Sequence, residues 1–385
     1  MEENQTTPLL KIILDRIGAR GPLTFADYMA ACLYEPGLGY YTSPGRKVGA
    51  EGDFYTSSNV HEVFGRLIGR EIARMWELMG HPDGFQVVEV GAGNGRLASD
   101  IVGAIAELTP TLYAGLTYRF IEAEPSLADA QRLMLGEHAA KAAWSTPADL
   151  ATGTLAITGC ILSNELVDAL PTHLVQMTPD GLREVYVTAR EGELAEALEV
   201  PSTPDLQAYL DRIGIRLVEG QRAEVNLAAG DWLTGVARSL TRGFVLTIDY
   251  GYPSVELYSP HHLNGTLLCY YRHTTEENPY IRSGEQDITS HVDFTSLALR
   301  GAELGLQEVW FGEQYRFLLG AGMMEELLAL EARATTEPER IKHRLALKKL
   351  LLPEGGMGDT FKVLIQSRGV ENPRLLCMRE WGKSF

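Results

Sequence analysis

The stretch from Val87 to Ile101, "VVEVGAGNGRLASDI", decides the fold. An apolar run carries Glu89 near its end, glycines follow at alternate positions (Gly91, Gly93, Gly95), and beyond Arg96 apolar residues recur at helical spacing. A strand that passes into a helix through glycines lets bare backbone approach a ligand, because a Cβ at those points would collide with it. The dinucleotide spacing G-x-G-x-x-G would put its third glycine at position 96, which is Arg96. The chain reads E-x-G-x-G-x-G instead. A pyrophosphate is received by a helix N-terminus, whereas an acid at the strand end suits a cation or hydroxyl groups.

Strand and helix patterns alternate outward from this point. "LTYRFIEA" reads as a strand, "PSLADAQRLML" as a helix, "KAAW" as a short strand and "GTLAITGCILSN" as a long apolar one. That alternation implies a parallel sheet with helices on both faces, whose ligands bind beyond the carboxyl ends of the strands. Glu122 ends the second strand, where a carboxylate can accept from both ribose hydroxyls, as NAD and S-adenosylmethionine both require. Glu89 favours the second cofactor, which carries a cationic amino group and no phosphate. Asn164, Glu165 and Asp168 follow the central strand in "LSNELVDALP". Two carboxylates there suit a guanidinium, which needs planar acceptors; they equally suit capping of the next turn. Asp249, in "IDYG", ends the fifth strand as a substrate-side group or a turn former. The histidines His261, His262, His273 and His291 lack metal-ligand spacing, so no metal is expected.

The flanks are different in kind. Thr7 with Pro8 starts one N-terminal helix and Thr24 caps a second. A Gly-, Pro- and Tyr-rich loop follows over 34–59, long enough to suggest a lid, with Tyr40, Tyr41, Phe54, Tyr55 and Thr56 as its candidate substrate-facing residues. "THLVQMTPDGLREVYVTAR" reads as a hairpin turning at "PDG", within an insertion at about 172–230. The expected division is 1–80, N-terminal helices and loop, then 81–385, the α/β domain carrying the insertion as a smaller lobe. The net charge of −17 argues against nucleic acid and allows a basic protein substrate. Four scattered cysteines and the start "MEENQTTPLL" lead us to expect a cytoplasmic protein with no membrane insertion.

"YEPGLGYY", "GAEGDFYTSSNVHEVFG", "VVEVGAGNGRLASDI", "FIEAEPSL", "NELVDALP", "IDYG", "GTLLCYYRHTTEENPYIRSGEQDITSHVDF" and "MGDTFKVLIQ" occur here in this order. Together they make the chain resemble, over nearly its whole length, the MidA-like methyltransferases, a bacterial and mitochondrial group that includes an arginine methyltransferase of complex I assembly. The resemblance implies a class I methyltransferase (Rossmann-like) fold, a seven-stranded, mostly parallel sheet with an antiparallel last strand. It implies S-adenosylmethionine as cofactor, with Glu89, Gly91, Gly93, Gly95 and Glu122 in the binding roles and Glu165 carried over as the catalytic carboxylate; to these we add Ala92 and Asn164 as cofactor-binding candidates and Asp168 as a catalytic candidate. Asn164 stands where the mitochondrial relative has a histidine. Two other readings stay open: an assembly or interaction factor, with the N-terminal helices and the insertion as a partner or homodimer surface, and an NAD oxidoreductase.

Overall fold

A computed structural model describes residues 7–43, 60–124, 126–272, 274–352 and 360–379. Contacts group the chain into two compact units. One is assembled from Met1–Tyr55, Val167–Asp231 and Gly251–Leu299, the other from Thr56–Leu166, Trp232–Tyr250 and Arg300–Phe385. The sequence reading divides the chain at residue 80. Grouped by contact, the N-terminal helices instead go with the insertion, because Leu23 and Thr24 pair antiparallel with Val187 and Tyr186 of its hairpin.

The unit that holds the glycine loop is built on seven strands, labelled in chain order: β1 (Gln86–Val90), β2 (Thr117–Ile121), β3 (Ala142–Ser145), β4 (Ile157–Asn164), β5 (Leu240–Tyr252), β6 (Gln307–Glu313) and β7 (Phe361–Arg368). Their spatial order is β6-β7-β5-β4-β1-β2-β3. The strands from β5 to β3 pair in parallel, and β7 lies antiparallel between β5 and β6. The mostly parallel sheet agrees with the sequence pattern, and the antiparallel last strand with what the family resemblance implies. A two-residue addition, Val292–Asp293, extends the sheet by pairing with Gly251 and Tyr252, where β5 runs on past the sheet proper.

The central strands are apolar along their length because helices cover both faces. Val87, Cys160, Leu162, Phe244, Leu246 and Ile248 are all buried in one core. Helix α1 (Val63–Leu78) and helix α2 (Arg96–Leu108) contribute Leu67, Ile68, Ile72, Leu97, Ile101 and Ile105 to it at helical spacing. Helix α3 (Leu127–Leu135) follows β2.

The other unit has its own cores. Helices Pro8–Arg20 and Phe25–Tyr34 begin at Thr7 and Thr24, whose side chains accept from Leu10 N and Asp27 N, both at 3.1 Å. They pack Leu9, Ile13, Phe25, Tyr28 and Met29 with Val185 and Val187. The hairpin pairs His173–Thr178 with Gly181–Arg190, Thr178 facing Gly181 across the expected turn. A further strand, Glu193–Glu199, lies beside Gly181–Arg190. Its sequence, "ELAEALE", has poor β-propensity, which hides it from a reading by pattern. The loop-rich stretch 253–290 also holds a small sheet of Leu268–Tyr271, Thr274–Glu276 and Asp287–Thr289. Among the described residues no helix is long and apolar enough to cross a membrane.

Candidate functional site

The glycines of the loop between β1 and α2 all stand in left-handed backbone: Gly91 at φ 72°, Gly93 at 52° and Gly95 at 81°. Side-chain-bearing residues pay about 1–2 kcal/mol there. The three differ in what surrounds them. A Cβ on Gly91 would lie 2.8 Å from Leu166 Cδ1, and one on Gly95 would lie 3.1 Å from Gln131 Cα. A Cβ on Gly93 would meet nothing within 4 Å. Gly91 and Gly93 are exposed, so the loop presents open backbone, with half-buried Ala92 between them. Arg96 turns to the surface, where its Nε donates to Asp100 Oδ2 at 3.1 Å.

Glu89 is 3% exposed and accepts from Tyr118 Oη–H at 2.7 Å. Burial pushes its carboxyl up to about 7; the Tyr118 hydrogen bond works against the rise and the nearby Glu122 charge adds to it. Glu122 is half-buried just past β2. Its Oε1 accepts from Glu124 N at 3.1 Å and its Oε2 from Gln131 Nε2 at 3.0 Å. Desolvation raises its pKa, opposed by these hydrogen bonds.

The end of β4 supplies the next group. Asn164 Nδ2 donates to Glu165 Oε1 at 3.0 Å. Since a carboxylate only accepts, this bond fixes the amide orientation. Asn164 Oδ1 then stays buried with no hydrogen-bonding partner among the described residues, as does Ser163 Oγ next to it. Glu165 has φ 53°, which is strained for a residue with a side chain. Its N–H donates to Ile248 O at 2.9 Å, and its Oε2 accepts from Tyr250 Oη–H at 3.3 Å. Strain and side-chain hydrogen bonds together hold a half-buried carboxylate at the strand end. Asp249 is fully buried, with Oδ2 accepting from Leu166 N at 3.2 Å and Oδ1 from Tyr250 N at 2.9 Å. The first of these bonds braces the backbone that follows Glu165, the second the end of β5.

Asp168, Tyr40 and Tyr41 belong to the other unit. Asp168 is buried, and its backbone oxygen accepts from Ser290 N at 3.0 Å. Tyr40 is fully buried, and its ring meets Tyr41 edge-on. Tyr41 stacks on Tyr34 at 5.6 Å and donates to both oxygens of Asp287 at 3.0 Å. Burial raises the Tyr34 and Tyr41 phenols, and the charges of Asp287 and Asp168 raise them further. Phe54, Tyr55 and Thr56 lie outside the described residues. Sequence reasoning overlooked Asp287 and Gln131. Both are buried polar residues in otherwise ordinary segments, and only their partners mark them out.

Residues 67–312 match the family model described as "Putative S-adenosyl-L-methionine-dependent methyltransferase". The chain is 30% identical to a Burkholderia thailandensis protein described as a "likely methyl transferase" and solved bound to S-adenosyl-homocysteine. The superposition has a TM-score of 0.85 and covers 98% of this chain and 95% of that one. Among curated proteins it is similar to the mitochondrial protein arginine methyltransferase NDUFAF7 of Mus musculus, at 28% identity over 94% of this chain and 84% of that protein. The Homo sapiens counterpart is 27% identical over 93% of this chain and 83% of its own length. The open backbone at Gly93, the carboxylate of Glu122 and the unpaired acceptor Asn164 Oδ1 fit a ligand with an adenosyl group and an ammonium.

Proposed function

The chain belongs to the MidA-like family of S-adenosylmethionine-dependent methyltransferases, and on that footing we propose that its methyl acceptor is an arginine side chain of a protein. The observation that carries this reading is Glu165, a carboxylate held in strained backbone at the end of β4 by Asn164 and Tyr250. A guanidinium is planar and donates paired N–H bonds, which such a carboxylate can accept. The similarity to the mitochondrial arginine methyltransferases supports it.

When bound, S-adenosylmethionine would supply a methyl group activated by its sulfonium, for transfer to the acceptor nitrogen with S-adenosylhomocysteine as the leaving group. We assign its adenosyl ribose to Glu122, its backbone contacts to Gly91, Ala92, Gly93 and Gly95, and its amino group to Asn164 Oδ1 and the charge of Glu89. Glu165 orients the guanidinium through two N–H bonds and takes up the proton that the methylated nitrogen loses. Orientation of this kind is the main source of rate in a simple displacement. A subunit of respiratory complex I is the protein we propose as acceptor. Action in the cytoplasm is part of the same proposal, supported by four free, buried cysteines.

The test is labelled methyl transfer into cell extract, followed by mass spectrometry of the acceptor. Methylarginine on a complex I subunit supports the proposal. Label on a small molecule or on another side chain overturns it. Binding of S-adenosylhomocysteine without transfer to any protein would favour an interaction factor.

A further inference from the structure

We propose that Gln131 is a positioning residue of the cofactor site: its amide locks the Glu122 carboxylate to the glycine loop and so sets discrimination at the ribose hydroxyls. The proposal rests on the reading that Glu122 holds the ribose.

Helix α3 is oddly turned. It leaves Leu133 83% exposed and buries Gln131 completely, the reverse of what burial of apolar surface would select. A buried amide is costly unless its hydrogen bonds are made. Here they are made. Gln131 Nε2 donates to Gly93 O at 2.9 Å and to Glu122 Oε2 at 3.0 Å, while Oε1 accepts from Trp144 Nε1–H at 2.8 Å.

The chemistry of the partners allows one orientation only. An indole N–H can only donate, and a carbonyl and a carboxylate can only accept. The amide therefore cannot flip without placing like groups against each other at three points. Trp144 is itself fixed, stacked on Phe120 at 5.5 Å with the Arg132 guanidinium 4.5 Å from its ring centre. One side chain thus joins the loop after β1, the carboxylate after β2 and a ring on β3.

The same arrangement explains the third glycine of the loop. A Cβ on Gly95 would lie 3.1 Å from Gln131 Cα and 3.2 Å from its Cγ. Gly95 is the residue that lets α3 come close enough for the amide to reach Gly93 O. In this account Gly93 serves the ligand directly, and Gly95 serves it through Gln131.

The test uses the full chain and isothermal calorimetry. The probes are S-adenosylhomocysteine and analogues of it that lack one ribose hydroxyl. The variants are Gln131→Met, Glu122→Gln and the double substitution, with thermal melts alongside. Gln131→Met keeps the length and removes both donors. We expect each single variant to weaken S-adenosylhomocysteine by roughly tenfold, the scale of one hydrogen bond to a charged group. The preference over the deoxy analogues should shrink in Gln131→Met, and the double variant should bind no worse than about threefold below the weaker single, because the two residues act as a unit.

If Gln131→Met weakens all probes equally and leaves the preference intact, Gln131 only supports the fold and the proposal fails. If Glu122→Gln leaves the preference unchanged, the ribose reading is at fault and takes the proposal with it. Should Gln131→Met not fold, Trp144→Phe keeps the stacked ring, removes the N–H that holds the amide and is expected to shrink the preference partially. An unchanged preference there refutes the positioning role.

Discussion

Glu89 offers the sharpest quantitative test. It is buried beside β2, and its carboxyl is raised from an ordinary 4.5 to about 7, chiefly by loss of water. An acid whose folded pKa lies above its unfolded one binds more protons when folded. Its contribution to stability is complete below about pH 4.5, falls as the pH rises and is lost once the pH passes about 7. At about 1.4 kcal/mol for each tenfold change in proton affinity, the gap corresponds to about 3 kcal/mol. Glu89→Gln cannot ionise and still accepts from Tyr118. Without cofactor, the variant should gain on the native protein by about 1–3 kcal/mol at pH 8. Between pH 5 and 7 the difference between them should open at up to ~1.4 kcal/mol per pH unit.

The assay is urea unfolding of both proteins at pH 5, 6, 7 and 8. Glu71, also raised to about 7 by burial, and Asp100, raised to about 6, titrate in both proteins and cancel in the difference. With saturating S-adenosylhomocysteine the order should reverse above pH 7, since the ionised carboxylate then meets a cation. A difference that does not change with pH would show that Glu89 does not titrate in this window, and would remove the argument that a costly charge is kept there for the ligand.

Other expectations concern the neighbouring groups. Glu165→Gln should bind S-adenosylhomocysteine like the native protein and lose methyl transfer, and a retained turnover rate in a labelled-cofactor assay would end its assigned role. Glu165→Gly relieves φ 53° at the cost of a more flexible unfolded chain, so melts should move by no more than about 1 kcal/mol while activity is lost. Gly95→Ala meets both a positive φ and Gln131 Cα, and should cost about 1–3 kcal/mol in unfolding experiments as well as cofactor affinity; Gly93→Ala should lose affinity with the smaller stability cost of φ alone. Tyr41→Phe removes the hydroxyl that bonds both oxygens of buried Asp287 and should cost about 1–3 kcal/mol in unfolding experiments.

The sequence by itself determined the class of sheet, the glycine turn between β1 and α2 and most of the carboxylates at the strand ends. These are local signals: apolar runs of strand length, glycines at fixed offsets, and an acid at a strand terminus each follow from backbone geometry within a few residues. It likewise marked the caps at Thr7 and Thr24 and the hairpin at Pro179 and Asp180, since turn and cap chemistry is local too. It could not place the N-terminal helices with the residues after Val167, because that grouping depends on pairings such as Leu23 with Val187, far apart in the chain. Nor could it separate the roles of the acids it singled out. Glu165 and Asp249 look alike as letters, yet one is held at φ 53° as a half-buried carboxylate and the other is buried bracing two backbone N–H groups. Gln131 was invisible for the same reason. Its importance comes from three partners on three different segments, and only the tertiary structure brings a loop carbonyl, a carboxylate and an indole within reach of one amide.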